Sequence, residues 1–372
     1  MLKNELIKRI PLLILACVML LFFCGCDGLS ESLEEVIEKT PVTEVELPLN
    51  DGDNILDEYF DKVFGSGETS TDSPGTYTDS FSDVFGDSNT NAPTEAPSGS
   101  APVVIPDNSY LRVDYVDVGQ ADFIVVECDN EYMTIDAGNR ADGQFIYSYL
   151  DKRGIDHIEY MVVTHGHEDH CGSAATILEH STVGTVFCSV TEYDTVTFRK
   201  FVEKVSEKGL EITVPQAGDT FSLGSAEIQI LGPVKEYEEP NDTSIVLKLT
   251  YGDTSFLFTG DAEETSEKDI IAAGYDLSAD VLKAPHHGSY TSSSYVFLRE
   301  VMPEYIVIQS SRTDAPDYDH PHDVVLSRYR DLGATVYRND LQGTVTCYSD
   351  GINITFEVER NPDADTLYEL NQ

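Results

Sequence analysis

Seven residues constrain this chain more than any others: Thr164-His165-Gly166-His167-Glu168-Asp169-His170. His165, His167, Asp169 and His170 put four potential metal ligands within six residues, and three of the chain's nine histidines fall here. The stretch follows Tyr160-Met161-Val162-Val163, which reads as a short buried strand. The motif is therefore expected on the loop leaving a strand, and not on a helix. Two histidines four apart on a helix would face the same way. The spacing His-x-His-x-Asp-His instead suits a tight loop that splays its ligands into two adjacent sites, with His165 and His167 on one ion and Asp169 and His170 on the other. Zinc takes imidazole and carboxylate ligands, and manganese accepts them too.

Apolar and alternating runs predict strands near 111–118, 121–128, 131–135 and 183–190, a hairpin over 221–231, and strands near 245–249, 255–259, 280–284 and 305–309. Further strands are expected at 335–336, 343–348 and 352–358. Helical spacing predicts helices at 145–153, 172–180, 196–208 and 323–332. This order fits an α/β chain with two mixed sheets packed face to face and helices outside, an αββα sandwich. The metal loops would converge at the sandwich edge.

Four further stretches stand in order around the metal motif: Val116-Asp117-Val118-Gly119-Gln120-Ala121-Asp122, Asn241-Asp242-Thr243-Ser244, His286-His287-Gly288-Ser289 and His320-Pro321-His322. Together they resemble the metallo-β-lactamase superfamily from Tyr110 to about Arg360. More narrowly they resemble the metallo-hydrolase domain of ComEC-type competence proteins. The resemblance implies two divalent metal ions, zinc first and manganese as the alternative. His165, His167, Asp169 and His170 would be ligands, and Asp261 of Thr259-Gly260-Asp261 would bridge the two ions. His287 would close the second site, with His286 facing substrate, or the two would exchange roles. Asp136, Gln120, Asp122, Asn241, Ser244 and Ser289 would support the ligands from behind. Asp169, His286 and His320 would carry catalysis. His320 would bind a phosphate oxygen or protonate a leaving group, or its loop would simply begin a helix.

The chain departs from the general superfamily pattern in one respect. No histidine lies between His180 and His286, so the first site lacks an obvious third imidazole. Asn241 or Asp242 could fill the position, directly or through water, which would weaken zinc there and widen the choice of ion. The other reading of Asn241-Asp242 is a turn cap.

Residues 1–26 read as a lipoprotein-type signal peptide: Lys3, Lys8 and Arg9, then an apolar run from Pro11 to Phe23 too short for a comfortable span. Phe23-Cys24-Gly25-Cys26 resembles a lipobox, with Cys26 as the lipidated residue; an uncleaved anchor is the alternative. Either way the protein is expected outside the cytoplasm and tied to the membrane. Residues 27–109 read as an acidic disordered tether in which Phe-x-x-Val-Phe-Gly occurs twice, at Phe60 and Phe81. Residues 110–360 are the hydrolase domain and 361–372 a C-terminal tail. Cys128, Cys188 and Cys347 sit in strand patterns as buried apolar residues, and Cys171 is expected to point away from the metals.

The formal net charge is -44. From Val103 onward 18 Lys and Arg stand against 48 Asp and Glu, so the domain itself is strongly acidic. A broad basic face for embracing nucleic acid is excluded. Two cations roughly 4 Å apart lower the pKa of water toward about 7 and stabilise charge growing on a substrate. Phosphodiesters suit that chemistry, and the resemblance implies a phosphodiesterase or nuclease acting on DNA, a wall polymer or a lipid headgroup. No protein partner is identifiable. A β-lactamase or lactonase, and a non-catalytic metal-binding surface module, are the alternatives.

Overall fold

The computed structural model describes residues 110–313, 315 and 317–368. The expected signal peptide, the lipidation expected at Cys26 and the expected tether with its repeated motif lie outside the described residues.

The first sheet begins with an antiparallel meander, β1 (Leu111–Tyr115), β2 (Ile124–Cys128) and β3 (Glu131–Ile135). It continues through parallel crossovers. Helix α1 (Gly143–Arg153) leads to β4 (His157–Val163). One helical turn, α2 (Glu168–Cys171), and α3 (Ala174–His180) lead to β5 (Thr182–Cys188). Helix α4 (Val196–Glu207) leads to the short β6 (Ile212–Thr213). The second sheet repeats this plan. Strands β7 (Thr220–Leu223), β8 (Ala226–Gly232), β9 (Val246–Tyr251) and β10 (Thr254–Phe258) pair antiparallel. Then α5 (Glu264–Ala273), β11 (Val281–Lys283), α6 (Tyr295–Val301), β12 (Tyr305–Ile308), α7 (Asp323–Leu332) and β13 (Thr335–Arg338) follow, with these strands parallel. After the short α8 (Asn339–Gln342), β14 (Val345–Ser349) and β15 (Ile354–Val358) return to the first sheet beside β1. The strand orders are β15-β14-β1-β2-β3-β4-β5-β6 and β13-β12-β11-β10-β9-β8-β7.

Side-chain alternation builds the layers. Val113, Tyr115, Val126 and Met133 of one sheet meet Ile228, Leu249, Phe256 and Phe258 of the other in a shared apolar core. The neighbouring residues point outward: Val125, Met161 and Val163 pack beneath Ile146, Ile177 and Phe198 of α1, α3 and α4. Leu257, Leu282 and Ile306 pack beneath Ile270, Phe297 and Tyr329 of α5, α6 and α7. The expected αββα sandwich is the observed fold.

Two local outcomes differ from the sequence reading, and the described C-terminal residues pack on the domain. The metal motif is a loop only in its first half; from Glu168 it closes into the single turn α2. Helices α5 and α6 were not anticipated, because Glu267 interrupts the apolar face of α5 and α6 has only seven residues. Residues 361–368, at the start of the expected tail, lie against α7 and β13. Thr366 donates its hydroxyl to the Val336 carbonyl, and Tyr368 stacks on Arg330.

Glu267 is fully buried and accepts the backbone N–H groups of Ser293 (2.5 Å) and Ser294 (3.0 Å), so it ties α5 to the start of α6. Burial raises its carboxyl, and outweighs these hydrogen bonds and nearby Arg328, to about 7 from 4.5. An acid whose folded-state pKa is raised contributes stability in full below its unfolded pKa. That contribution is lost as pH rises through the folded value. Wild-type protein should therefore lose about 3 kcal/mol relative to Glu267→Gln between pH 4.5 and 7. Urea midpoints of both proteins at pH 4.5 and pH 8 measure this; parallel pH profiles would refute it.

Candidate metal centre

The loops that carry the candidate ligands leave the C-terminal ends of strands in the parallel half of one sheet or the other, where open α/β sheets place their sites, while Gln120, Asp122 and Ser244 come from connections between antiparallel strands. Asp136 follows β3, and His165 to His170 follow β4. Asp261 follows β10, His286 and His287 follow β11, and Gln309 to Ser311 follow β12. The turn at Gly260 cannot accept a side chain: its φ is +50°, and a Cβ would meet the Thr164 hydroxyl oxygen at 2.8 Å. Gly172, just past α2, is equally restricted, because its Cβ would lie 2.3 Å from the Arg140 nitrogen and the Asn139 carbonyl carbon. Asp136, His286 and His287 have positive φ values of 61°, 46° and 53°, a strained conformation for non-glycine residues that clusters at functional sites.

Among the described residues two candidate ligand groups share one carboxylate, and a third, of Asp122, Asp136 and His170, adjoins them. Asp169, His170, Asp261 and His287 each bring one donor atom within 4.8 Å of the others, and so do His165, His167 and Asp261. Asp261 belongs to both. Its Oδ2 lies 3.2 Å from His170 Nε2 and 3.9 Å from His165 Nε2, while Oδ1 lies 3.5 Å from His287 Nε2. His165 Nε2 and His167 Nδ1 are 3.0 Å apart, and Asp169 Oδ2 is 3.3 Å from His287 Nε2.

The surrounding hydrogen bonds aim these donors. A carboxylate and a carbonyl only accept. His170 Nδ1–H therefore donates to Asp136 Oδ2 (2.8 Å), and His287 Nδ1–H to the Gln309 carbonyl (2.8 Å). Both rings thus present Nε2 inward. Asp136 is itself held by the Thr164 backbone N–H at 2.7 Å. Asp122 Oδ1 stands 3.3 Å from His287 Nδ1, and its Oδ2 pairs with the buried Lys283 ammonium at 2.8 Å. Ser244 accepts the Asp261 backbone N–H at 3.0 Å and lies 3.4 Å from His165 Nδ1.

The electrostatics suit bound cations. Burial opposes charge on His170 and His287. Asp261 and Asp136 nonetheless hold His170 well above the usual imidazole range, and Asp261 with Asp122 pushes His287 up to about 10. Burial opposes charge on Asp261 too, but His170 and His287 outweigh it and keep the carboxylate well below its ordinary range. His165 is held well below its ordinary value by burial and then by His170. His170 Nε2, His287 Nε2 and Asp261 Oδ1 are buried without a hydrogen-bond partner. Such orphaned atoms are costly unless a cation satisfies them. The residues present fit a metal centre with nitrogen and oxygen ligands, and metal binding would displace protons from Nε2 of His170 and His287.

The remaining sequence candidates take distinct places. His286 stays outside both ligand groups; its Nε2 is 3.6 Å from Asp261 Oδ2 and its Nδ1 3.1 Å from Glu263. Asn241 donates to Glu263 (3.0 Å) and not into the first site, and Asp242 accepts the N–H groups of Glu263 and Ser266, capping α5. Neither supplies the missing third imidazole of the first group. Ser289 shapes its own turn through Thr291, 3.0 Å away. His320 lies beside His286 and His287, with Gln120 at 3.1 Å. Cys171 is buried with its thiol toward the Gly166 carbonyl, and burial raises it to about 12. Cys128, Cys188 and Cys347 are buried free thiols.

Sequence reasoning missed Glu263, Lys283 and Gln309. Lys283 left a trace, as the one charge in the apolar run Val281-Leu282-Lys283-Ala284. Parallel strands covered on both faces are normally continuous in apolar residues. Glu263 and Gln309 carry no signal beyond lying close to a strand end.

Residues 116–309, just over half of the chain, match the Metallo-beta-lactamase superfamily. "ComE operon protein 3" of Bacillus subtilis (strain 168) is 27% identical over 286 residues, covering 70% of this chain and 36% of that protein. "Competence protein ComA" of Neisseria gonorrhoeae is 28% identical over 255 residues, covering 66% of this chain and 33% of that protein. The chain thus spans about a third of the length of these curated relatives. Among solved structures, the metallo-beta-lactamase fold protein YhfI from Bacillus subtilis aligns with a TM-score of 0.45 at 10% identity, over 65% of this chain and 100% of that one. The chain belongs to the metallo-β-lactamase superfamily of hydrolases and is related to the ComEC-type competence proteins.

Proposed function

We propose that this protein is an exported, membrane-tethered, metal-dependent phosphodiesterase, acting on DNA, a wall polymer or a lipid headgroup. The observation that carries the reading is the pair of ligand groups joined by the single buried carboxylate of Asp261. Two divalent ions, zinc or manganese, would be held there, and when bound they supply an activated water and neutralise charge on an anionic ester. Around them, Asp169 and Asp261 set ligand positions, while His286 and His320 stand on the substrate side. The formal charge of -44 disfavours a long polyanion at low divalent-ion concentration and leans toward small or wall-bound esters. The tether is proposed from the first 26 residues, with Cys26 as the lipidated residue. Among the described residues no helix is long and apolar enough to cross a membrane.

The test is hydrolysis of bis(p-nitrophenyl) phosphate by the full chain, stripped of metal and reloaded with zinc or manganese. Metal-dependent turnover is expected, sedimenting with membranes and freed from them by Cys26→Ala. Tight metal binding with no turnover by either ion would sink the phosphodiesterase reading and direct the search to lactams and lactones.

A further inference from the structure

The orientation of one amide decides what His320 can do. Gln120 is buried, and its side chain bridges two groups. Its Oε1 accepts the Ser311 backbone N–H at 3.1 Å, and its Nε2 lies 3.1 Å from His320 Nδ1. A backbone N–H can only donate, so the oxygen of the amide must face Ser311. The amide nitrogen then faces His320 and must donate as well. Reversing the amide would set N–H against N–H at Ser311, and a proton on His320 Nδ1 would set N–H against N–H at the ring. Neither is acceptable in a buried network.

We propose that Gln120 is a positioning residue that locks His320 as the neutral, Nε2-protonated tautomer, making it a hydrogen-bond donor to an oxyanion at the metal centre. The oxyanion part rests on the phosphodiesterase reading; the tautomer does not. His320 is buried to 4% exposure among the rings of His286 (5.5 Å), His287 (6.3 Å), His322 (4.8 Å) and Tyr318 (5.7 Å). Burial, followed by His287 and His286, lowers the ring to about 3. A neutral imidazole is a weak proton donor to a leaving group, but it remains a good hydrogen-bond donor to growing negative charge. Between the two roles read for His320 in the sequence, this favours binding an oxygen over protonating one. Gln120 also gives the Gly119-Gln120-Ala121-Asp122 element two separate tasks: Gln120 orients His320, and Asp122 faces His287.

Ring nitrogen-15 shifts of the full chain test the tautomer without any substrate, with the His320 signals assigned by their loss in His320→Asn. The wild type is expected to show His320 protonated on Nε2 alone, and Gln120→Leu to lose that preference. Binding of inorganic phosphate to zinc-loaded protein is expected to weaken roughly tenfold in both Gln120→Leu and His320→Asn, the loss of one hydrogen bond to a charged group. A wild-type ring protonated on Nδ1, or on both nitrogens, overturns the assignment. An unchanged tautomer in Gln120→Leu overturns the role of Gln120. Phosphate binding that is absent from the wild type, or equal in all three proteins, overturns the oxyanion role. The expected tautomer and phosphate binding without diester turnover would instead count against the phosphodiesterase reading alone.

Discussion

Asp261→Ala is expected to remove metal from both halves of the proposed centre at once and to cut the proposed phosphodiester turnover by at least about 10³-fold, a loss of roughly 4 kcal/mol of transition-state stabilisation. The size follows from position. Asp261 is the only residue common to these two ligand groups: its oxygens face His170 and His287 of one group, and Oδ2 lies 3.9 Å from His165 of the other. His167→Ala, by contrast, touches only the first group. The Asp261 variant should still fold. With the carboxylate gone, His170 and His287 lose the largest influence favouring their charge, so either ring gives up a proton more readily and no new unpaired charge is forced into the interior. Zinc content after dialysis, circular dichroism and turnover of bis(p-nitrophenyl) phosphate are the measurements. An Asp261→Ala protein that keeps two tightly bound ions would show that no shared carboxylate holds the pair.

Lys283→Ala carries the largest stability effect expected, about 3–5 kcal/mol. Lys283 and Asp122 are fully buried and paired at 2.8 Å, and the ammonium also donates to the Ala284 carbonyl at 2.9 Å. Removing the lysine leaves a carboxylate in the interior facing His287 and close to His170 and Asp136, and the cost is that of a buried charge deprived of its closest partner more than of the lost pair. Lys283→Ala combined with Asp122→Asn carries no bare charge and should recover about 1–3 kcal/mol of the loss. Urea unfolding of the two single variants, the double variant and the wild type closes the cycle. A Lys283→Ala protein as stable as the wild type would mean that the pair contributes nothing net. The pair also bears on the metal centre: Asp122 faces His287 Nδ1, so the double variant replaces a charged neighbour of that ring by a neutral amide while the Gln309 carbonyl stays as its acceptor.

The candidate ligands stood out in the sequence because metal chemistry restricts them twice over. Few residue types bind divalent cations, and a tight loop allows few spacings, so His165, His167, Asp169 and His170 stand out without any partner. The layered fold was legible for a related reason: strand alternation and the crossover helices report which face is buried, and these periodicities are local. Element ends were less so. The helical turn at Glu168–Cys171 is held by contacts from outside the motif, such as Ala137 N–H to the His170 carbonyl and Gly172 N–H to the Gly138 carbonyl.

The sequence by itself determined the chemistry on offer: nitrogen and oxygen ligands, a strand-borne Gly260-Asp261, a histidine pair and a strongly acidic chain. Only the tertiary structure decided how these are used. It placed His287 in the second group and His286 outside it, turned Asp242 to cap a helix, brought Glu263 beside His286 and buried Lys283 against Asp122. It also set the His320 ring by an amide 200 residues earlier in the chain. The physical reason is the same in each case. A side chain's type is local, but the direction of its hydrogen bonds depends on which backbone and side-chain groups the two sheets bring to it.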